Sequence, residues 1–242
     1  MFIHNTNSVL IYFGDSSRGI SFEEYRRAYT SKGKFIPEIC NFLKSSFLIQ
    51  ECFFLRQTHS TNGLIISKET VRDLKPFLYE GDFLITDQPG LGIGILTADC
   101  LPIIIYDPTK HILGLAHAGW RGSLSGIAAT VVQIIKKQYS CNPSLLQVFF
   151  GPAAKCCCYA IDDTFAHRLK GCKNYERFLN LKNNCYYFDL AYFNQVQLEQ
   201  CGILPDAFCY DYNMCSICNN SFYSYRNQKE KAGRQITMAI LK

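Results

Sequence analysis

At 242 residues, with 48% apolar and 19% charged residues, the chain is long enough to close a core without disulfides or a structural metal, and too apolar to be disordered. Its formal charge is +5, with basic pairs only at Arg26-Arg27 and Lys136-Lys137. That excludes the concentrated basic patch of a nucleic-acid binder but leaves small anions as partners.

Thirteen cysteines are present, an odd number that includes the adjacent Cys156, Cys157 and Cys158. They do not read as the staples of a secreted scaffold, and most are expected to be small buried hydrophobes in a reducing compartment. Residues 1–13 lack the pattern of a secretory signal. The most apolar stretch, residues 91–106, is interrupted by Asp99 and Pro102 and is too short to span a membrane. A cytoplasmic protein without membrane association is therefore expected.

In chain order, residues 9–13 predict a short strand and 31–37 a loop. His4 falls in an N-terminal segment expected to be mobile. Residues 47–55 form an apolar run of strand length ending at Arg56-Gln57-Thr58-His59, and residues 63–66 predict another short strand. From Phe83 the pattern becomes one of short β-branched runs divided by turns: 83–86, 91–97, 101–106 and 112–118. Pro102 is admissible only at a strand start or edge, so Ala98-Asp99-Cys100-Leu101 reads as a break where side chains converge.

Residues 123–139 carry the clearest helical periodicity, with Ser123 as the expected cap and Lys136-Lys137 at the favourable end of the dipole. Gly119-Trp120-Arg121-Gly122 then leads from a strand into a helix N-terminus, where Arg121 and backbone N–H groups can meet an anion. Beyond it lie a strand at 146–150, a helix at 162–170, a helix capped by Asp189 and ended by Gly202, and strands at 207–210 and 236–241. No repeat or composition break divides the chain, so residues 1–242 read as one α/β or α+β domain.

Two of the five histidines stand out. His59 and His117 each follow an apolar run and are flanked by small or polar residues, as at a strand end beside a cleft. Cys100 occupies the strand break next to Asp99. Two imidazoles and one thiolate suit zinc or copper with a position left open. Their spacing matches no short metal motif. Cys215 and Cys218 form one C-x-x-C pair, which alone specifies neither zinc nor redox work.

The blocks Gly81-Asp82-Phe83-Leu84-Ile85-Thr86, Leu96-Thr97-Ala98-Asp99-Cys100-Leu101-Pro102 and Ala116-His117-Ala118-Gly119-Trp120-Arg121-Gly122 resemble the YfiH/laccase-domain family, also called the polyphenol oxidoreductase or purine nucleoside phosphorylase LACC1-like family. Gln57-Thr58-His59, Gly151-Pro152-Ala153, Cys157-Cys158-Tyr159, Phe188-Asp189-Leu190, Ser224-Tyr225-Arg226 and Gly233-Arg234 extend the resemblance along the chain. It implies a layered α/β/β/α-like sandwich with mixed sheets, of α+β class, and a self-contained subunit, monomeric or weakly dimeric. It also implies one metal ion, usually zinc, on His59, Cys100 and His117. The chain departs from the family pattern at Ser60, Lys155, Ala160 and Asn227, none of them a candidate ligand.

The resemblance further implies a choice of activities. One is a zinc-dependent purine nucleoside phosphorylase acting on adenosine, inosine and S-methyl-5′-thioadenosine, with adenosine deaminase activity. The other is a copper-dependent, laccase-like polyphenol oxidoreductase. A multicopper centre needs many imidazoles and this chain has five histidines, so the nucleoside activity is expected, with purine nucleosides and phosphate as partners. Arg121 and Arg226 are the candidates for phosphate, and Asp99 is either the proton-transfer group or a supporting residue. A metal-independent hydrolase, with Cys100 as nucleophile and His117 as base, is a third expectation.

Overall fold

The computed structural model describes residues 1–242. The chain opens with an antiparallel pair, β1 (Phe2–Asn5) and β2 (Val9–Phe13), then two helices, α1 (Phe22–Thr30) and α2 (Glu38–Phe47). Strands β3 (Glu51–Phe54), β4 (Gly63–Ile66), β5 (Phe83–Thr86), β6 (Leu91–Thr97), β7 (Leu101–Asp107) and β8 (Ile112–Ala118) follow. A five-residue helix α3 (Trp120–Leu124) precedes α4 (Ile127–Tyr139) and β9 (Gln147–Phe150). The remainder comprises α5 (Asp163–Leu169), the hairpin β10 (Leu179–Lys182) and β11 (Cys185–Phe188), α6 (Leu190–Gln200), β12 (Phe208–Cys209), α7 (Tyr225–Gln228) and β13 (Gln235–Leu241).

Two mixed sheets result. One has the order β1-β2-β13-β6-β3, the other β12-β9-β7-β8-β5-β4. Alternation along the strands explains how they stack, because successive side chains face opposite sides. Val9, Ile11, Phe13, Ile93 and Ile95 of the first sheet meet Ile104, Leu113, Leu115 and Phe149 of the second in one cluster. Leu10, Tyr12, Leu96 and Met238, on the other face, pack under α1 and α2 through Ala28, Cys40 and Leu43. Leu101, Ile103, Ile105 and Ala116 face the opposite way and are covered by Val131 and Ile135 of α4 and Leu198 of α6. The molecule is thus a helix–sheet–sheet–helix sandwich, as expected. No helix is long and apolar enough to cross a membrane.

Several local expectations are corrected. Residues 47–55 do not form one strand: α2 runs to Phe47, Leu48 adopts a left-handed conformation (φ 53°), and β3 begins at Glu51. The helix expected over 123–139 is two helices, divided at Gly126 (φ 81°). Ser123 is not a cap. It is buried and accepts a hydrogen bond from Asn194 Nδ2 at 2.9 Å. The strand-to-helix turn at Gly119 is as expected, with Gly119 as the N-cap and Trp120 to Gly122 as the first turn of α3, but that helix is only five residues long. His4 belongs to β1, its ring 4.8 Å from that of Phe149. Asp189 does cap α6, accepting from Tyr192 N at 3.0 Å, and Gly202 (φ 97°) follows its end.

Glycines in β6 let Ile49, β3 and β13 approach. A Cβ on Gly94 would stand 2.2 Å from the Phe54 ring, which is itself stacked on Phe77 with ring centroids 5.3 Å apart. The ring therefore has nowhere to swing. Gly94→Ala is expected to cost about 1–3 kcal/mol through overpacking. Equilibrium urea unfolding should show a lower midpoint with an unchanged slope.

Candidate functional site

The site lies where the chain passes between the sheets. His59 sits in the connection from β3, in the first sheet, to β4, in the second. Cys100 sits in the three-residue crossover from β6 to β7, which also changes sheet. His117 is the penultimate residue of β8 and shares the inward face of Leu113 and Leu115. Strand alternation therefore directs His117 between the sheets at their open end. The donor atoms of His59, Cys100 and His117 all fall within 4.8 Å of one another, with Cys100 Sγ 3.7 Å from His59 Nε2. The two imidazole rings meet edge to face, centroids 4.9 Å apart.

A buried carboxylate that the sequence reasoning passed over organises this cluster. Asp82 is fully buried at the start of β5. Its Oδ1 lies 2.8 Å from His117 Nδ1 and accepts the backbone N–H of His59 at 2.9 Å. Its Oδ2 accepts the N–H of Ser60 at 2.6 Å and of Thr58 at 3.2 Å, together with both hydroxyls. The Asp82 backbone carbonyl accepts from His117 N at 2.7 Å. Burial would raise the carboxyl pKa, but these donors and the His117 charge hold it well below the usual range. The available signal was the Asp in the Gly-Asp-Phe block. Its function follows only from partners brought in by a distant loop.

Desolvation opposes charge on Cys100 and His117 as well, yet the two favour each other's ionised forms. Cys100 is drawn down to about 6 by His117 and His59, and His117 is raised to about 9 by the Cys100 charge and the Asp82 hydrogen bond. A thiolate at neutral pH is the form that binds metals. With Nδ1 of His117 taken by Asp82, its Nε2 is the nitrogen left for an ion. A carboxylate behind a ligating imidazole is the usual way such a ring is oriented. The donor set therefore fits a borderline-soft divalent metal. Gly119 is needed for this packing: a Cβ there would stand 2.8 Å from the His59 ring and 2.9 Å from Cys100 Sγ.

Two of the chain's positive-φ non-glycine residues lie within the site, His59 (φ 60°) and Asp99 (φ 84°). Such strain gathers at functional sites when the surroundings enforce it. Asp82 enforces the first. For Asp99, Ser216 Oγ donates to Oδ1 at 2.8 Å, while Ser224 Oγ and Arg226 N donate to Oδ2 at 3.0 and 2.7 Å. Asp99 is buried and ties the β6–β7 crossover to the segment carrying Arg226.

A cavity of about 480 Å³ opens beside the cluster, within the range of small-molecule sites. Tyr25, Tyr29, Trp120, Tyr159 and Tyr225 line it, with Arg121, Arg226 and Arg234. The guanidinium groups lie over aromatic rings, Arg121 on Trp120 at 4.7 Å, Arg226 on Tyr159 at 4.7 Å and Arg234 on Tyr25 at 4.2 Å. None of the three is paired with a carboxylate. The remaining histidines lie elsewhere: His111 is in a turn and His167 in α5.

Residues 38–242 match the family described as multi-copper polyphenol oxidoreductase laccase. Over 234 residues the chain is 28% identical to a Clostridium acetobutylicum protein named purine nucleoside phosphorylase, with 96% of this chain and 92% of that protein aligned. It is 31% identical over 204 residues to human purine nucleoside phosphorylase LACC1, a match covering 79% of this chain and 44% of the human protein. The crystal structure of Bacillus licheniformis YfiH superposes with a TM-score of 0.79 at 24% identity, covering 97% of this chain and 93% of that one. YlmD from Geobacillus stearothermophilus gives 0.77 at 22% identity, covering 97% and 91%. These likenesses establish the fold.

Asp82→Asn tests the organising carboxylate. An amide must turn N–H groups toward donors that the carboxylate accepts. Metal affinity, measured by competition with a chromophoric chelator, should fall about 10–100-fold. Stability should fall by about 1–3 kcal/mol in urea. Wild-type affinity in this variant would remove Asp82 from the orienting role.

Proposed function

The chain belongs to the multi-copper polyphenol oxidoreductase laccase family, and we propose that within it this protein is a zinc-dependent purine nucleoside phosphorylase that also deaminates adenosine. The observation that carries this reading is the juxtaposition, in one cavity, of the His–Cys–His cluster, three arginines without carboxylate partners and aromatic walls. The printed names of the relatives support it. Adenosine, inosine and S-methyl-5′-thioadenosine are the proposed nucleosides, with inorganic phosphate as co-substrate. The reading takes residues 1–242 as one unit, since β1, β2 and β13 share a sheet.

His59, Cys100 and His117 would hold the zinc. When bound, the ion supplies Lewis-acid stabilisation of developing negative charge. The protein's own groups account for binding and orientation. Arg121 and Arg226, braced on Trp120 and Tyr159, hold the phosphate, and the exposed Tyr225 ring in the cavity wall offers a flat face to the purine. In phosphorolysis a phosphate oxygen bonds to C1′ as the bond from C1′ to the purine nitrogen breaks, and the base leaves with the electron pair and takes up a proton. In deamination water oxygen replaces the amino group at C6 and ammonia leaves. Asp99, whose oxygens already accept three hydrogen bonds, positions the crossover and the Arg226 backbone in this reading and does not carry a proton.

A multicopper oxidase has less support, because only His59 and His117 of the five histidines reach the cluster. Copper bound with phenol oxidation would restore it. The Cys100–His117 pair, drawn toward thiolate and imidazolium, favours a second reading, a metal-independent hydrolase. Activity that survives exhaustive chelation would select it.

The tests are direct. Hypoxanthine release from inosine should require phosphate, and release that ignores phosphate would indicate a hydrolase. His59→Ala should remain soluble and cooperatively folded, since His59 is exposed. It should lose zinc, and both rates should fall at least about 100-fold, the scale of losing a main electrostatic stabiliser. His111→Ala should leave both intact. Stoichiometric zinc in His59→Ala would exclude this residue as a ligand.

A further inference from the structure

A second cluster of potential ligands lies outside the cavity. The C-x-x-C pair Cys215 and Cys218 faces the adjacent Cys157 and Cys158, and all four sulfurs fall within 4.8 Å of one another. Cys157 Sγ and Cys218 Sγ are 4.0 Å apart, and all four residues are free thiols. Four thiolates at about 2.3 Å around a tetrahedral zinc stand roughly 3.8 Å from each other, so the sulfurs already span nearly the required cage. We propose that Cys157, Cys158, Cys215 and Cys218 form a second, structural metal site that takes a soft divalent cation, zinc by the chemistry of its donors.

The backbone holds the two halves together without help from the ion. Ala153 N donates to Met214 O at 3.0 Å and Ser216 N to Ala153 O at 2.9 Å, while Lys155 Nζ donates to Asn213 O at 2.9 Å. The segment after Lys155 curls into a turn, with Cys158 N and Tyr159 N both donating to its carbonyl. That curl brings two neighbouring cysteines to bear on one point.

The donors are arranged as a cation site requires. The backbone N–H groups of Cys218, Lys155 and Ile217 are aimed at the Cys215 sulfur. Two of these donors come from within the C-x-x-C turn itself, so the loop stabilises a thiolate at its first cysteine. Desolvation and the neighbouring sulfurs push Cys157 and Cys158 up. Several thiolates so close can ionise together only if a cation neutralises them. Cys157 and Cys218 are exposed, which gives an ion a way in.

The position gives this site a structural consequence. Ser216, inside the C-x-x-C turn, donates to Asp99, and Tyr159, next to Cys158, lines the cavity. A metal here staples two loops that form one cavity wall.

Elemental analysis of the gently purified full chain should find two zinc ions per chain. Cys100→Ser should retain one, and X-ray absorption on that variant should show an all-sulfur shell at about 2.3 Å. Cys215→Ser/Cys218→Ser should retain the other. Should the double variant fail to fold, alkylation of the wild type with peptide mapping supplies the answer. Cys157, Cys158, Cys215 and Cys218 should be protected before chelation and modified after it. A single zinc that Cys100→Ser removes entirely, equal alkylation with and without chelator, or a mapped disulfide among the four would each overturn the proposal. Because the Cys100→Ser arm is read without any activity assay, failure of the phosphorylase reading leaves it intact.

Discussion

The carboxylate of Asp82 is the interaction on which the candidate site depends. A fully buried charge is expensive unless its lone pairs are filled. Here they are filled by three consecutive backbone N–H groups, two hydroxyls and an imidazole. The cost of burial is offset only when the 58–60 loop and the end of β8 are both in place. One residue thus sets the left-handed turn at His59 and the orientation of His117 together. Removing either partner group leaves a charge without compensation, so the arrangement is held as a unit.

Chain topology supplies the third member of the cluster. A sandwich of two sheets has open ends where chain must pass from one sheet to the other, and short passages force unusual backbone. The β6–β7 crossover has only three residues, and the middle one, Asp99, takes the left-handed conformation. Aspartate tolerates that region better than most residues, and its carboxylate is then secured by two serines and a backbone N–H. Cys100 follows directly and is presented at the same end as His59 and His117. The strained backbone and the clustered donors of His59, Cys100 and His117 are therefore neighbours for one geometric reason.

How much of this was legible in the sequence varied with the kind of signal. Strands β5 to β8 read clearly because sheets covered on both faces produce nearly continuous apolar runs. Helix α6 read clearly because Asp189 and Gly202 punctuate it. Helix α1 was missed although Ser21 and Glu24 form a capping box, since it buries only Ala28 and its nine residues are predominantly polar or charged. The end of α2 was missed because a leucine, not a glycine, takes the left-handed position. His59, Cys100 and His117 could be singled out by residue type and strand ends. Asp82 could not, because its meaning lies in partners more than twenty positions away. The four-cysteine cluster was invisible for the same reason, as its halves are joined only by loop-to-loop hydrogen bonds.

The two clusters are not independent pieces of the molecule. Asp99 touches the wall built from residues 216–226 through Ser216, Ser224 and Arg226, and the backbone beside Cys215 is paired with Ala153. Ala154 N in turn donates to the Asp99 carbonyl at 2.9 Å. The crossover that carries Cys100 is thereby bounded by the same loops that gather the four other cysteines. Loops of this kind are ordinarily the most mobile part of a fold. In the proposed function they would hold a guanidinium and an aromatic ring against a small anionic or aromatic ligand to within fractions of an ångström. Hydrogen bonds to one buried carboxylate fix the crossover, but they grip the outer loop at only a few points. A metal crosslink at the proposed four-cysteine site would supply the remaining constraint without occupying the cavity. Such a division of labour would leave the cysteines around this wall unpaired, four gathered as potential ligands and Cys156 beside them half-buried.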